Sequence, residues 1–289
     1  MATRVLPAMI LAAGLGTRLR PLTDRLAKPL VPIGDRPAVL HVVDRLRAAG
    51  VQRIVLNGHH RAPQLRAFVE SQADLALSEE PELLGTGGGL ARAAGLLGGG
   101  DVLVWNADIL ADVDARTLVA AHATAACAAT LVVQPLGAGE GTVGVDAGGR
   151  IVRLRAERFG DEARGGQFLG IYVLGVALRA LLPERGGVIE DLLLPALARG
   201  VAVRAFPFEQ TWRDIGTIAS YLDANLAWLA ERGLTSWVGP DANVAPGVAL
   251  EGAVIGAGAS VEGRGVVARS VVWPGARATA PLDGQVVTA

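Results

Sequence analysis

Between residues 5 and 105 the chain alternates strand-sized apolar runs with helix-sized segments, and this alternation restricts the fold more than any single residue does. Val5 to Ala13 is one apolar run, followed by Gly14-Leu15-Gly16-Thr17-Arg18. Ala38 to Ala49 carries Val39, Leu40, Val42, Val43 and Leu46 at helical spacing and stops at Gly50. Val51 to Leu56 reads as a strand, Arg61 to Ser71 as a helix, Leu75 to Leu77 as a short strand and Gly89 to Leu97 as a helix. Asp101 to Trp105 is a strand that runs into Asn106-Ala107-Asp108. This order predicts an α/β fold with a doubly wound, mostly parallel, Rossmann-like sheet and helices on both faces. Ligands of such sheets bind beyond the carboxyl ends of the strands, where the Gly14 and Asp108 loops both fall.

The middle of the chain reads as strands at 130–134, 142–145, 151–154, 168–173 and 201–206, with helices at 189–198 and 218–232. From about Ser236 the texture changes. Val238, Val244 and Leu250 stand six apart, Ile255 breaks the phase by one, and Val261 and Val267 resume it, with Gly, Pro and Ala between them. A six-residue apolar period predicts a hexapeptide β-helix, here of two to three coils. The expected division is therefore an α/β domain over 1–233 and a short left-handed β-helix over 234–289. A stack this short buries its apolar residues only against neighbours, so assembly into a homo-oligomer through it is expected.

Composition excludes several classes. A net charge of −1 gives no global positive field for nucleic acid. No apolar run approaches the roughly 20 residues that cross a bilayer. Met1 to Pro7 lacks the apolar core and cleavage site of a signal peptide. The single cysteine, Cys127, has no intramolecular disulfide partner and reads as a buried structural thiol. A cytoplasmic protein is expected, with small-molecule partners. Lys28 is the only lysine; the 27 Lys+Arg less this one leave 26 arginines. In that background a lone lysine marks either a site that needs a compact ammonium on a flexible stem or chance retention on the surface.

The chemistry collects around Lys28. Glycines after a strand let main-chain N–H groups approach phosphate oxygens, although a tight Gly-x-Gly turn with no ligand is also common. No Gly-Lys-Ser/Thr follows, so this is not a Walker loop. Leu19 stands where a dinucleotide fingerprint places its third glycine, which argues against a dehydrogenase. Arg18 and Lys28 supply a planar fork and a point charge, as polyphosphate requires, with prolines stiffening the chain around Lys28.

Leu11-Ala12-Ala13-Gly14-Leu15-Gly16-Thr17-Arg18-Leu19-Arg20-Pro21-Leu22-Thr23 with Lys28-Pro29-Leu30 resembles the signature of the sugar-1-phosphate nucleotidyltransferases. The resemblance continues in order through Gly85-Thr86-Gly87-Gly88-Gly89, Asn106-Ala107-Asp108, Gly170-Ile171-Tyr172 and Trp212-Arg213-Asp214-Ile215-Gly216-Thr217. It implies an enzyme that joins an NTP and a sugar-1-phosphate into an NDP-sugar and releases pyrophosphate. Leu11, Ala12, Ala13 and Gly14 would then hold base and ribose, and Gly16, Thr17 and Arg18 the triphosphate. Glu80, Gly85, Thr86 and Gly87 would complete the nucleotide site, although a solvated loop is an equal reading for Glu80. Lys28 would neutralise the α-phosphate and act with Arg18 and Asp108 in catalysis. Asp108 and Asp214 would hold Mg²⁺; read without the resemblance, they are equally a helix cap and a turn residue. Gly144, Glu157, Arg158, Gly170 and Tyr172 would contact the sugar phosphate. Many members carry Glu-Lys-Pro in that region, where this chain has Glu157-Arg158-Phe159, so a guanidinium replaces an ammonium. Ala27 and Ala107 replace the usual Pro and Gly before the lysine and the aspartate. Leu84 to Gly88 resembles guanylyl-transferring members and Gly87-Gly88-Gly89 the uridylyl branch. The alternative is a non-catalytic homologue that binds a nucleotide sugar and regulates a partner. Because the implied site residues all precede Trp237, loss of the β-helix is expected to leave the chemistry partly intact.

Overall fold

A computed structural model describes residues 5–288, so Met1 to Arg4, part of the N-terminal reading above, lie outside the described residues. The chain packs into two compact units, one of residues 1–14 and 42–212, the other of residues 15–41 and 213–289. The expected division at residue 233 runs along the chain. The packing instead groups the segment after Gly14 with the C-terminal residues.

The first unit is built on a ten-stranded sheet. Its strands are β1 (Ala8–Leu11), β2 (Ile54–Gly58), β3 (Leu75–Glu79), β4 (Val102–Asn106), β5 (Ala129–Leu136), β6 (Val143–Val145), β7 (Ile151–Leu154), β8 (Glu157–Arg158), β9 (Arg164–Leu174) and β10 (Val203–Pro207). They run in the order β8-β7-β6-β9-β4-β1-β2-β3, with β5 also on β9 and β10 on β5. β4, β1, β2 and β3 are parallel. The strands from 143 to 174 pair antiparallel, because short connections permit only that arrangement, whereas a parallel pair needs a crossover. The fold is the expected α/β class, and its parallel part is the half that carries the glycine loop. Ala8, Met9 and Ile10 of β1 and Val102 to Trp105 of β4 are fully buried. Central parallel strands are covered on both faces, which is why these read as unbroken apolar runs.

The helices after β1, β2 and β3 are α1 (Ala38–Ala48), α2 (Ala62–Glu70) and α3 (Gly85–Arg92); α4 (Ala115–Thr124) follows β4. The third starts four residues before the expected Gly89. Four of its first five residues are glycine, a composition that disfavours a helix by roughly 1 kcal/mol per glycine, and packing overrides it. A Cβ on Gly87 would lie 2.9 Å from Pro183, and one on Gly88 2.6 Å from the Glu184 carbonyl.

In the second unit, α5 (Ile218–Ala230) begins with a capping box of Thr217 and Ser220. The residues after 236 form short parallel strands. Val238 pairs with Ile255 and Ile255 with Val272, a step of 17 residues each time. Val244 pairs with Val261 and Val261 with Ala278, again 17 apart. Seventeen is three sixes less one, so the phase break at Ile255 is the joint between successive coils. The stack is β-helix-like.

Segment 15–41 is fixed to this unit by hydrogen bonds. Tyr221 donates its hydroxyl to the Pro32 carbonyl at 2.7 Å, and Trp273 donates its indole N–H to the same hydroxyl at 3.0 Å. Gly34 N donates to Asn225 Oδ1 at 2.9 Å.

Candidate active site

In the first unit, β1 and β4 end side by side. Leu11 pairs with Asn106, and Ala107 N donates to the Leu11 carbonyl at 3.0 Å. The Gly14 and Asp108 loops therefore leave adjacent strand ends, as the alternation predicted. Ala12 and Ala13 are buried, while Gly14 is exposed. Ala12 N donates to Asn57 Oδ1 at 2.6 Å, and Asn57 Nδ2 donates to Glu80 Oε1 at 2.7 Å. Leu84 N donates to Glu80 Oε2 at 3.1 Å. Asn57 is 3% and Glu80 2% exposed. Glu80, expected against the nucleotide, instead lies inside the protein with both oxygens engaged. A buried carboxylate needs such donors, and it takes them from the loop after β1 and the start of α3.

Gly85, Thr86 and Gly87 form the first turn of α3. Gly87 N donates to the Gly186 carbonyl at 2.8 Å, and Thr86 Oγ1 accepts from Val188 N at 2.8 Å. The side chain of Thr86 is exposed and Gly87 is buried. A Cβ on Gly89 would lie 2.6 Å from Glu80 Oε1 and 2.7 Å from Asn57 Nδ2, so the glycine run admits this buried relay.

Asp108 is half-buried just after β4. Gly170 has φ +77°, and a Cβ there would strike the Asn106 amide. That conformation and contact both require glycine. Tyr172, expected at the sugar phosphate, instead sits in the apolar core at 3% exposure with its ring 5.9 Å from that of Phe168. Strand alternation explains the miss: the family motif places it two residues after Gly170, on a strand buried on both sides. Burial pushes the Tyr172 hydroxyl above its ordinary pKa. Gly144 lies beneath a buried ion pair, Arg153 to Glu162 at 2.6 Å, and a Cβ on it would strike the Glu162 carboxylate. Glu157 and Arg158 are exposed, with Arg158 Nη1 3.8 Å from Glu162.

The second unit assembles the phosphate-loop residues. Gly16 has φ +63°, which favours glycine, and Thr23 Oγ1 donates to its carbonyl at 2.9 Å. A Cβ on Gly16 would lie 2.7 Å from Thr23 Cγ2 and 3.2 Å from Lys28 Cβ. The Lys28 stem thus passes close over Gly16, at the start of the turn Lys28–Leu30. Thr17 and Arg18 are exposed in the turn Thr17–Leu19. Arg18 Nη2 and Asp214 Oδ1 both come within 3.0 Å of the position a Cβ on Gly216 would take. The loop cation and one expected metal carboxylate therefore flank a single small space, kept open because residue 216 has no side chain.

His59 places Nδ1 3.0 Å from the Glu80 carbonyl. Cys127, expected buried, is half-buried, its Sγ 3.3 Å from Thr130 Oγ1 and 3.7 Å from His122 Nδ1. It lies in the connection after α4, outside the packed layers. Sequence reading passed over Asn57; the available signal was a polar residue ending a buried strand at the ligand edge of the sheet.

The family model for nucleotidyl transferases matches residues 7–231. The chain belongs to the nucleotidyl transferase family. It is similar to a mannose-1-phosphate guanylyltransferase of Mycobacterium tuberculosis, 30% identical over 99% of this chain and 81% of that one. It is also similar to the mannose-1-phosphate guanyltransferases of Yarrowia lipolytica and Aspergillus fumigatus, each 34% identical over 77% of this chain. The chain spans 64% of the length of these two fungal relatives. The solved structure of HddC from Yersinia pseudotuberculosis complexed with GMP-PN superposes with a TM-score of 0.65. It covers 78% of this chain and all of that one at 22% identity, a likeness of fold.

Among the described residues of this nucleotidyl transferase, no three or more His, Cys, Asp or Glu side chains gather into a metal cage. A hard cation such as Mg²⁺ does not need one. It keeps several waters and takes one or two protein carboxylates plus substrate phosphate oxygens. The space over Gly216, with one oxygen of Asp214 at its edge, suits such a ligand.

Proposed function

We propose that this chain is a sugar-1-phosphate nucleotidyltransferase that transfers a nucleotidyl group, guanylyl first among the candidates, from an NTP to a hexose 1-phosphate. The observation that carries this reading is the second unit's phosphate loop: Gly16 in a left-handed turn, the Lys28 stem over it, and Arg18 with Asp214 around Gly216. The similarity to mannose-1-phosphate guanylyltransferases supports guanosine as the base and mannose 1-phosphate as the acceptor.

In this reading Leu11, Ala12, Ala13 and Gly14 hold the base and ribose by their backbone, with Gly85 and Thr86 beside them. Glu80 acts from behind, by fixing Asn57 and through it Ala12. Gly16, Thr17 and Arg18 grip the triphosphate. Lys28 neutralises the α-phosphate as an oxygen of the sugar phosphate attacks it and pyrophosphate leaves. The attacking oxygen is already anionic, so no covalent enzyme intermediate and no strong general base are required. Catalysis consists of positioning and charge neutralisation. Asp108 and Asp214 hold a divalent cation, for which we propose Mg²⁺; when bound, it offsets negative charge on the phosphates. Gly144, Gly170, Glu157 and the exposed Arg158 are assigned to the sugar phosphate. The protein is proposed to act in the cytoplasm, and to form a homo-oligomer through its C-terminal stack.

The test is pyrophosphate release from each of GTP, UTP, dTTP and ATP against a panel of hexose 1-phosphates with Mg²⁺. Release should require both substrates and be fastest with GTP and mannose 1-phosphate. Release without any sugar phosphate, or none with any pair, contradicts the reading.

A further inference from the structure

The second unit contains a cavity of about 770 Å³ that the proposed reaction does not use. Its walls are Trp237 and Trp273, Pro240 and Pro274, and, from the other side, Leu26 and Leu30. Small-molecule sites run from about 300 to 1,000 Å³ and are mainly apolar with a few polar groups placed to orient the ligand. Here the polar groups are Arg25, Arg36 and Asp35. Arg36 Nε donates to Asp35 Oδ1 at 3.0 Å. Two guanidinium groups against one carboxylate leave the cavity positive.

The walls are held in place. Trp273 is 4% exposed and donates to Tyr221, which donates to Pro32. Trp237 packs edge-on against Trp228, centroids 5.6 Å apart at 80°. A rigid site loses little freedom when its ligand arrives, and this raises affinity.

We propose that this cavity is a second small-molecule site, for a nucleoside diphosphate or a sugar diphosphonucleoside. Indole faces suit a flat base, and guanidinium groups suit an anionic diphosphate. A bare phosphate would leave the apolar walls unused, and a neutral hydrocarbon would leave two cations without a counter-charge. Leu26 and Leu30 lie two residues either side of Lys28, and Lys28 begins the turn that contains Leu30. Occupancy of the cavity therefore sets the position of Lys28. This second half of the proposal, control of turnover, rests on the function proposed above; binding itself does not.

The experiment is calorimetric titration of the full-length chain with GDP, UDP, GDP-mannose and inorganic phosphate, on the unaltered protein, Ala257→Trp and Arg25→Ala. Ala257 is exposed at the cavity and a tryptophan there fills it. A nucleotide is expected to bind with one more equivalent per chain in the unaltered protein than in Ala257→Trp. Arg25→Ala is expected to weaken that equivalent about tenfold or more, because it removes a charge-assisted contact. Phosphate is expected not to bind there. If the reaction is absent but the extra equivalent is present, the site stands and only the proposed function fails. Equal stoichiometry in unaltered protein and Ala257→Trp for every nucleotide, with both folded by circular dichroism, overturns the site. So does a light-scattering mass that halves in Ala257→Trp, which would show that a second copy fills the cavity.

Discussion

Lys28 is the residue on which sequence and structure make the sharpest joint statement. A chain that otherwise uses arginine keeps one lysine, and its stem crosses Gly16 within the phosphate loop. Removing one charged contact to a transferring phosphoryl group lowers kcat by about 10²–10³-fold. Lys28→Ala is expected to show that loss with little change in melting temperature, and Lys28→Arg a smaller one, since a planar fork cannot take the place of a compact ammonium. Steady-state kinetics and calorimetry on the same samples check it; unchanged turnover in Lys28→Ala refutes the role. Glu80→Gln makes a different prediction. It leaves the shape of the relay but weakens the hold on Asn57 and Leu84, at about 1.5–3 kcal/mol for charge-assisted bonds. The KM for the nucleotide should rise more than kcat falls. An equal fall in kcat with an unchanged KM would make Glu80 a group that acts at the reacting atoms.

At the scale of the element, α3 and the β6–β9 region hold what the sequence concealed. A run of glycines reads as a phosphate loop, and nothing local says that it is a helix packed on residues 183–186, about 100 positions away. Asn57 and Glu80 were hidden for the same reason: Ala12 lies 45 residues from its acceptor. The Gly16 loop, Arg18 and Lys28 were legible because they are contiguous and their chemistry is local. The 17-residue coil was half-legible, since the apolar period was visible and the one-residue slip had no meaning until strands paired. Gly89→Ala separates propensity from packing. Helix propensity favours alanine by about 1 kcal/mol, whereas a Cβ 2.6 Å from Glu80 Oε1 overpacks the site at a cost of about 1–3 kcal/mol. Net destabilisation in urea is expected, and stabilisation would show that the relay gives way. The Arg153–Glu162 pair predicts a pH dependence. Arg153 holds the Glu162 carboxyl below its ordinary value of 4.5. Stability from this pair is therefore present above about pH 4.5 and is lost as pH falls through the lower folded value. Glu162→Gln should flatten the fall of the urea midpoint between pH 5 and pH 3; an unchanged slope would mean the pair does not titrate with folding.

For the whole molecule, the packing changes what truncation should do. From sequence alone, residues after Gly233 were dispensable to the chemistry because no site residue lies there. In the structure the segment that carries Arg18 and Lys28 belongs to the same compact unit as the C-terminal stack, tied through Pro32, Tyr221 and Trp273. A chain ending at Gly233 is therefore expected to lose stability and most of its turnover together. Retention of full turnover by a folded truncated chain would show that the loop keeps its shape without the stack. The central claim is transfer of a nucleotidyl group to a sugar phosphate, and the most direct measurement follows the α-phosphate itself. GTP labelled at the α-phosphate is incubated with mannose 1-phosphate and Mg²⁺, and the products are separated. The account predicts that the label appears in GDP-mannose, with one pyrophosphate formed per sugar nucleotide. Label recovered in GMP or GDP, or left in GTP while no other NTP and hexose 1-phosphate pair reacts, would contradict it.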